Sequence, residues 1–110
     1  MPVTPKVLGQ LSASAPTTLE DVYTVPALTK TTVSTFTVVN RGATQETFRV
    51  SVAVAGAADN VKQYVAYDVP VPANDIFGAT IGMTLGPADV VRFYASSTNL
   101  NINVFGIEET

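Results

Sequence analysis

The chain has 110 residues, of which 46% are hydrophobic and only 14% charged, against about 25% charged in an average soluble domain; the length suits one domain with one modest core, and much of the polar surface has to be Thr, Ser and Asn. It contains no Cys, His or Trp, which removes thiolate and imidazole catalysis, disulfides and zinc or copper sites of ordinary type. Six basic against nine acidic residues give a net charge of −3 and a pI near 4.6, so neither nucleic acid nor a membrane is expected as a partner, while a mean hydropathy of +0.28 predicts an apolar surface shared with another protein.

Residues 1–18 carry Pro2, Pro5 and Pro16 and a polar stretch from Ser12 to Thr18. Proline removes amide donors and favours extended backbone, so this segment is expected to be an extended N-terminal arm, neither a helix nor a central strand. Its apolar side chains, Val3, Val7, Leu8 and Leu11, are the expected anchors on a partner. No run reaches the roughly 18 to 20 apolar residues that span a bilayer, and the N-terminal residues lead into no apolar h-region, so neither a signal peptide nor a membrane anchor is expected.

Residues 19–110 read as a β-sandwich domain. Val and Thr are the commonest residue types, and both favour a pleated surface over a helix. Candidate strands lie near 19–25, 30–40, 46–55, 61–69, 76–85, 89–96 and 100–108, separated by turn clusters such as Asn40-Arg41-Gly42-Ala43, Pro72-Ala73-Asn74-Asp75 and Gly86-Pro87-Ala88-Asp89. The clearest period of two sets Phe48, Val50, Val52 and Val54 against Thr47, Arg49, Ser51 and Ala53. In 30–40, Phe36 and Val38 share one face and Val33 and Val39 the other, which predicts a central strand covered on both sides. The fold class is therefore all-β: a single antiparallel sandwich of about seven to eight strands, immunoglobulin-like or jelly-roll-like, since the two give similar turn spacing. The pattern G-x-A-D-x-V-[KR]-x-Y occurs at 56–64 and again at 86–94, and reads as two turns that each open a hairpin.

The chemistry-bearing residues are sparse. Asp59, Asp68, Asp75 and Asp89 fall mostly in turns, where Asp bonds its own backbone, and no pair is spaced for glycoside hydrolysis. Asp59-Asn60 and Asn74-Asp75 lack the oxygen ladder of a calcium loop. Gly78 and Gly82 sit in a β-like run with no helix to follow, so they make no phosphate cradle and serve a bulge or a close backbone approach. Lys30, Arg41, Arg49, Lys62 and Arg92 are scattered, as expected of solvated or interface ion pairs. Tyr23, Tyr64, Tyr67 and Tyr94 offer flat apolar faces with hydroxyls, the material of a sugar-stacking platform, although strand tyrosines also serve as half-buried packing. No catalytic residue, metal ligand or cofactor is assigned.

The run Val22-Tyr23-Thr24-Val25-Pro26-Ala27, then the stretch from Val33 to Ala43 ending in Val38-Val39-Asn40-Arg41-Gly42-Ala43, then Thr47-Phe48-Arg49-Val50, resembles a pattern found in small β-sandwich virion structural proteins of tailed bacteriophages. Val7-Leu8-Gly9-Gln10, Tyr67-Asp68-Val69-Pro70, Asn74-Asp75, Thr84-Leu85, Asp89-Val90-Val91 and Val104-Phe105-Gly106 fit the same pattern, which covers nearly the whole chain. One departure is Leu28, where such proteins commonly carry Gly. The resemblance implies a non-enzymatic capsid decoration (cement) protein, made in the host bacterial cytoplasm and carried on the capsid surface of the virion. Its implied partners are the major capsid protein and copies of itself, in a homo-oligomer such as a trimer. A tail, neck, baseplate or fibre adaptor is the alternative station; a carbohydrate-binding host-attachment module, resting on the tyrosines, is a minor alternative of a different class.

Overall fold

The computed structural model describes residues 2–110. Nine strands follow one another: β1 (Val3–Ser12), β2 (Thr18–Thr24), β3 (Lys30–Asn40), β4 (Glu46–Ala53), β5 (Tyr64–Val71), β6 (Ile76–Ala79), β7 (Met83–Leu85), β8 (Val90–Ala95) and β9 (Leu100–Glu109). The first sheet has the order β1-β9-β3-β6, with β7 continuing β6 along the same side of β3; the second has the order β2-β8-β4-β5, and all pairs are antiparallel.

The pairing is nested. Val3 faces Glu109, Ser12 faces Asn101, Thr24 faces Val90, Thr31 faces Leu85, Val39 faces Ile76 and Ser51 faces Tyr64, each pair enclosed by the one before. The chain is thus one long antiparallel ribbon with its tip at 54–63, folded so that successive stretches fall in alternate sheets. With β6 and β7 counted as one interrupted strand, this is the jelly-roll connectivity, in which β4 and β5 are the only consecutive strands paired with each other. An immunoglobulin sandwich would instead pair its first two strands in one sheet.

The N-terminal segment corrects one expectation. Residues 3–12 do not stand off as an arm; they form β1, the outer strand of the first sheet, paired along its whole length with β9. Proline is tolerated at a sheet edge because only one side of the strand needs donors, which is how Pro5 is accommodated here. A bulge between Val7 and Gly9 turns the strand, so that Leu8 enters the core while Val7 faces outward.

A second bulge explains the ambiguous period of β3. The register against β9 shifts between Val33 and Thr35, and that shift puts Val33, Phe36 and Val38 all on the buried inner side. β3 is central, as expected, but this chain covers only one of its faces. In β4 the alternation ends at Ala53, and Val54 is exposed in a 3-10 turn (Val54–Gly56). Ser51 and Ala53, on the outer side of β4, are nevertheless buried. Loop 54–63 folds back over them, held where Arg92, opposite Ser51, donates to the carbonyls of Ala57 (2.8 Å) and Gly56 (3.3 Å).

The core is a phenylalanine cluster bridging the sheets: Phe48 lies 5.3 Å from Phe77, 6.1 Å from Phe93 and 6.3 Å from Phe36, the last pair edge to face. Burial of such rings is the main favourable term. The Asn40-Arg41-Gly42 turn has a structural role. Buried Asn40 donates to the carbonyls of Thr44 (2.8 Å) and Val71 (3.0 Å) and accepts from the Gly42 amide (2.9 Å), tying the β3–β4 corner to β5. Leu28 takes a left-handed φ of 57° and is exposed, a backbone conformation that a glycine would adopt without strain.

The two G-x-A-D copies do different work. The first lies in the tip of the β4·β5 hairpin, where its Asp59 accepts from the Tyr64 hydroxyl (2.9 Å). The second crosses from β7 in one sheet to β8 in the other, where Asp89 accepts from the amides of Gly86 (2.9 Å) and Ala55 (2.8 Å).

Candidate interaction surfaces

The sandwich presents its two outer sheet faces, and these differ in chemistry. On the first sheet the register aligns five cross-strand rows pointing outward: Val3–Glu109–Lys30, Pro5–Ile107–Thr32, Val7–Phe105–Thr35, Gln10–Asn103–Thr37 and Ser12–Asn101–Val39. Charge is confined to the two ends of the face: Lys30 and Glu109 lie in the first row, and Arg41 bonds the Asn101 and Ser12 side chains of the last, while the side chains of the rows between are uncharged. Ile76, opposite Val39, extends the face and is exposed. Val3 and Val7 are 50% and 47% exposed and, with Pro5, form an apolar strip along the sheet edge.

Of the four residues expected to anchor a partner, the structure therefore leaves Val3 and Val7 outward. Leu8 is a core residue and Leu11 packs against the core, so both are occupied within this chain. Sequence reading missed Phe105, Ile107 and Ile76 as members of this face, because only the register shows that they align with Val7 and Val39.

On the second sheet, the outer face centres on Arg49 of β4. Its guanidinium carbon lies 4.1 Å from the Tyr67 ring centroid and 4.4 Å from that of Tyr94, so the cation is held between two aromatic rings. Tyr94 is the direct cross-strand partner of Arg49 on β8. Tyr67 arrives from β5 through a bulge: Ala66 faces Val50 and Val69 faces Phe48, which leaves one extra residue on β5. Asp68 takes a left-handed φ of 50° there. The extra residue aims Tyr67 and Asp68 at the same guanidinium, and Asp68 accepts from Arg49 Nε at 2.6 Å and Nη2 at 3.4 Å. The Asp68 carboxylate raises the Arg49 pKa further, so the cation is permanent. Tyr64 meets Tyr67 edge to face at 5.2 Å, and burial followed by its bond to Asp59 raises its hydroxyl pKa.

Tyr23, grouped with the other three in the sequence reading, lies elsewhere. Its ring is in the core, and its hydroxyl donates to Glu108 (2.6 Å) while sharing a hydrogen bond with Thr31 (2.8 Å). Lys6 completes the group with a 3.2 Å contact to Glu108. This clamp joins β1, β2, β3 and β9. Burial, then the Glu108 bond, pushes Tyr23 up to about 12, and the Tyr23 hydrogen bond, with help from Lys6, holds Glu108 below the usual carboxylate range.

The surface also carries shallow hollows, two of which border these faces. One, of about 460 Å³, is lined by Gln10, Leu11, Ser12, Asn101, Ile102 and Asn103; the other, of about 470 Å³, lies against Val52, Val54, Ala57, Lys62 and Gln63 beneath the tip loop. Neither lining contains a carboxylate. Among the described residues no three acidic side chains gather as metal ligands, and no helix is long and apolar enough to cross a membrane. Arg92 pairs with Asp21 at 3.1 Å, and Arg41 bonds Asn101 Oδ1 (2.7 Å) and the Thr98 carbonyl (2.9 Å), so these two scattered cations, like Arg49, are engaged within the chain. Scans against protein families, curated proteins and solved structures found no match to this chain.

Proposed function

We propose that this protein is a structural, non-enzymatic subunit of a tailed-phage particle, a capsid decoration protein that seats the outer face of its first sheet on the head. The observation that carries the reading is that face: its middle rows have no charged side chain, Val3 and Val7 stand half-exposed along its edge, and charge is confined to its two ends, at Lys30–Glu109 and Arg41. Charged groups are scarce at the cores of protein interfaces, because desolvating them costs more than an apolar contact returns. The low overall charge and the phage-like sequence pattern running from β1 to β9 support the same reading. A lattice supplies many equivalent seats, so modest affinity per copy suffices when copies also contact one another.

The test is quantitative mass spectrometry of purified heads and tails. The expected result is a copy number that scales with the capsid lattice. Confinement to tails, in numbers matching a single ring, would instead assign the adaptor role, and absence from particles would overturn the proposal. A variant carrying Val3→Asp and Val7→Asp replaces two outward side chains without touching the core. It is expected to keep its far-ultraviolet circular dichroism and lose head occupancy.

A further inference from the structure

The outer face of the second sheet has a chemistry that packing does not require. Tyr67 is 54% exposed, although one face of its ring lies over Arg49. The adjacent Asp68 side chain is 49% exposed, so its carboxylate keeps acceptor capacity open to solvent while it bonds Arg49. An open aromatic ring beside a carboxylate–guanidinium pair matches the two sides of a sugar: a pyranose has an apolar C–H face that lies on a ring, and neighbouring hydroxyls that donate to a carboxylate and accept from a guanidinium.

We propose that the Tyr67–Asp68–Arg49 platform is a binding site for a neutral glycan. Neutrality follows from the charge balance within the platform, since Asp68 already compensates Arg49; an acidic sugar seated on Tyr67 would meet the Asp68 carboxylate beside a guanidinium that is already paired. The site is also organised before any ligand arrives. Arg49 is fixed by two rings and a carboxylate, and Tyr64 braces Tyr67 from the side while its hydroxyl is held by Asp59, so little side-chain freedom is lost on binding. A flat sheet face encloses little of a sugar, which predicts weak single-site affinity and a strong gain from multivalent display. The inference goes beyond the particle role and stands without it, because the site lies on the opposite face and is testable on the isolated protein.

The experiment displays the intact protein multivalently on an array of neutral hexose and N-acetylhexosamine oligosaccharides, with sialylated and uronate-containing glycans as charged controls. Retention of neutral glycans is expected. Tyr67→Ala should weaken the best hit by about tenfold, Tyr67→Phe should keep most of the binding, and Val7→Asp on the opposite face should leave it unchanged. Each variant's thermal unfolding confirms that it is folded, and Asp68→Asn serves as the second variant if Tyr67→Ala does not fold. An array without neutral hits, a preference for the acidic controls, or folded Tyr67→Ala and Asp68→Asn proteins that bind as the parent does would each overturn the proposal.

Discussion

At the base of the ribbon, where β1 meets β9 and β2 meets β8, the chain is held by interactions that permit little substitution; at its tip, residues 54–63, it is held by a few hydrogen bonds at the surface. In the base, Gly9 and Gly106 allow backbones to approach so closely that a Cβ at Gly9 would sit 2.6 Å from the Val22 carbonyl oxygen, and the Tyr23–Thr31–Glu108–Lys6 group links four strands. In the tip, Val54 and Val61 are exposed, and Arg92, Asp89 and Gln63 supply the bonds that shape the loop. In a nested ribbon the base closes the longest loop, so its contacts must offset the largest closure entropy. The tip closes on itself and is under no such demand.

The largest effect expected on this contrast comes from Gly106→Ala. A Cβ there would overlap the Thr32 carbonyl oxygen and lie 3.0 Å from Leu8 Cδ1, so β3 and β9 would have to separate beside the β3 bulge. A loss of about 3 kcal/mol in urea unfolding is expected. Gly82→Ala, in the gap between β6 and β7 where a Cβ meets nothing within 4 Å, is the matched control and should be near neutral. Equal midpoints for the two variants would show that the base yields as readily as an open loop.

Tyr23→Phe should cost less, about 1–2 kcal/mol at neutral pH, by leaving Thr31 and Glu108 without their shared partner. Its sharper signature is in pH. The depressed Glu108 pKa means that its contribution is present above the ordinary value of 4.5 and is lost as pH falls through the folded value. The raised Tyr23 pKa means the reverse on the alkaline side: its contribution is present below 10 and is lost as pH rises towards 12. Thermal melts from pH 3 to pH 11 should therefore show a shallower acid limb in the Phe variant and no alkaline decline from this residue. Parallel curves for parent and variant would remove the clamp from the account of the base.

Composition and alternation were enough to locate most strands, because β3, β4, β8 and β9 bury apolar side chains at a period that a sheet requires. What the sequence concealed were the shifts of register. β1 was hidden by prolines that an edge strand tolerates, and the phase change in β3 made an inner row look two-sided. The strand expected at 76–85 breaks after Ala79 and resumes at Met83, and the one expected from 61 begins at Tyr64, after a 3-10 turn (Val61–Gln63). The tyrosines were visible as candidate stacking residues, and the alternation of β4 put Arg49 on the outward side. Their assembly with Asp68 depended on one extra residue in β5, which has no local signature stronger than Asp68 itself, a residue type that tolerates left-handed backbone.

The smallest effect expected is at the tip, and it bears most directly on whether base and tip are separate units. Gln63 is buried, accepts from the Asn60 amide (3.3 Å) and donates to the Ala58 carbonyl (3.0 Å). Removing it in Gln63→Ala should cost about 1 kcal/mol, since water reaches most of the groups it releases. Amide exchange across 54–63 should quicken while the amides of β1, β3 and β9 keep their protection, because a loop that closes on itself can open without separating the terminal strands. Faster exchange spread evenly over both regions would mean that tip and base unfold as one unit, and the ribbon would then owe its stability to the sandwich as a whole.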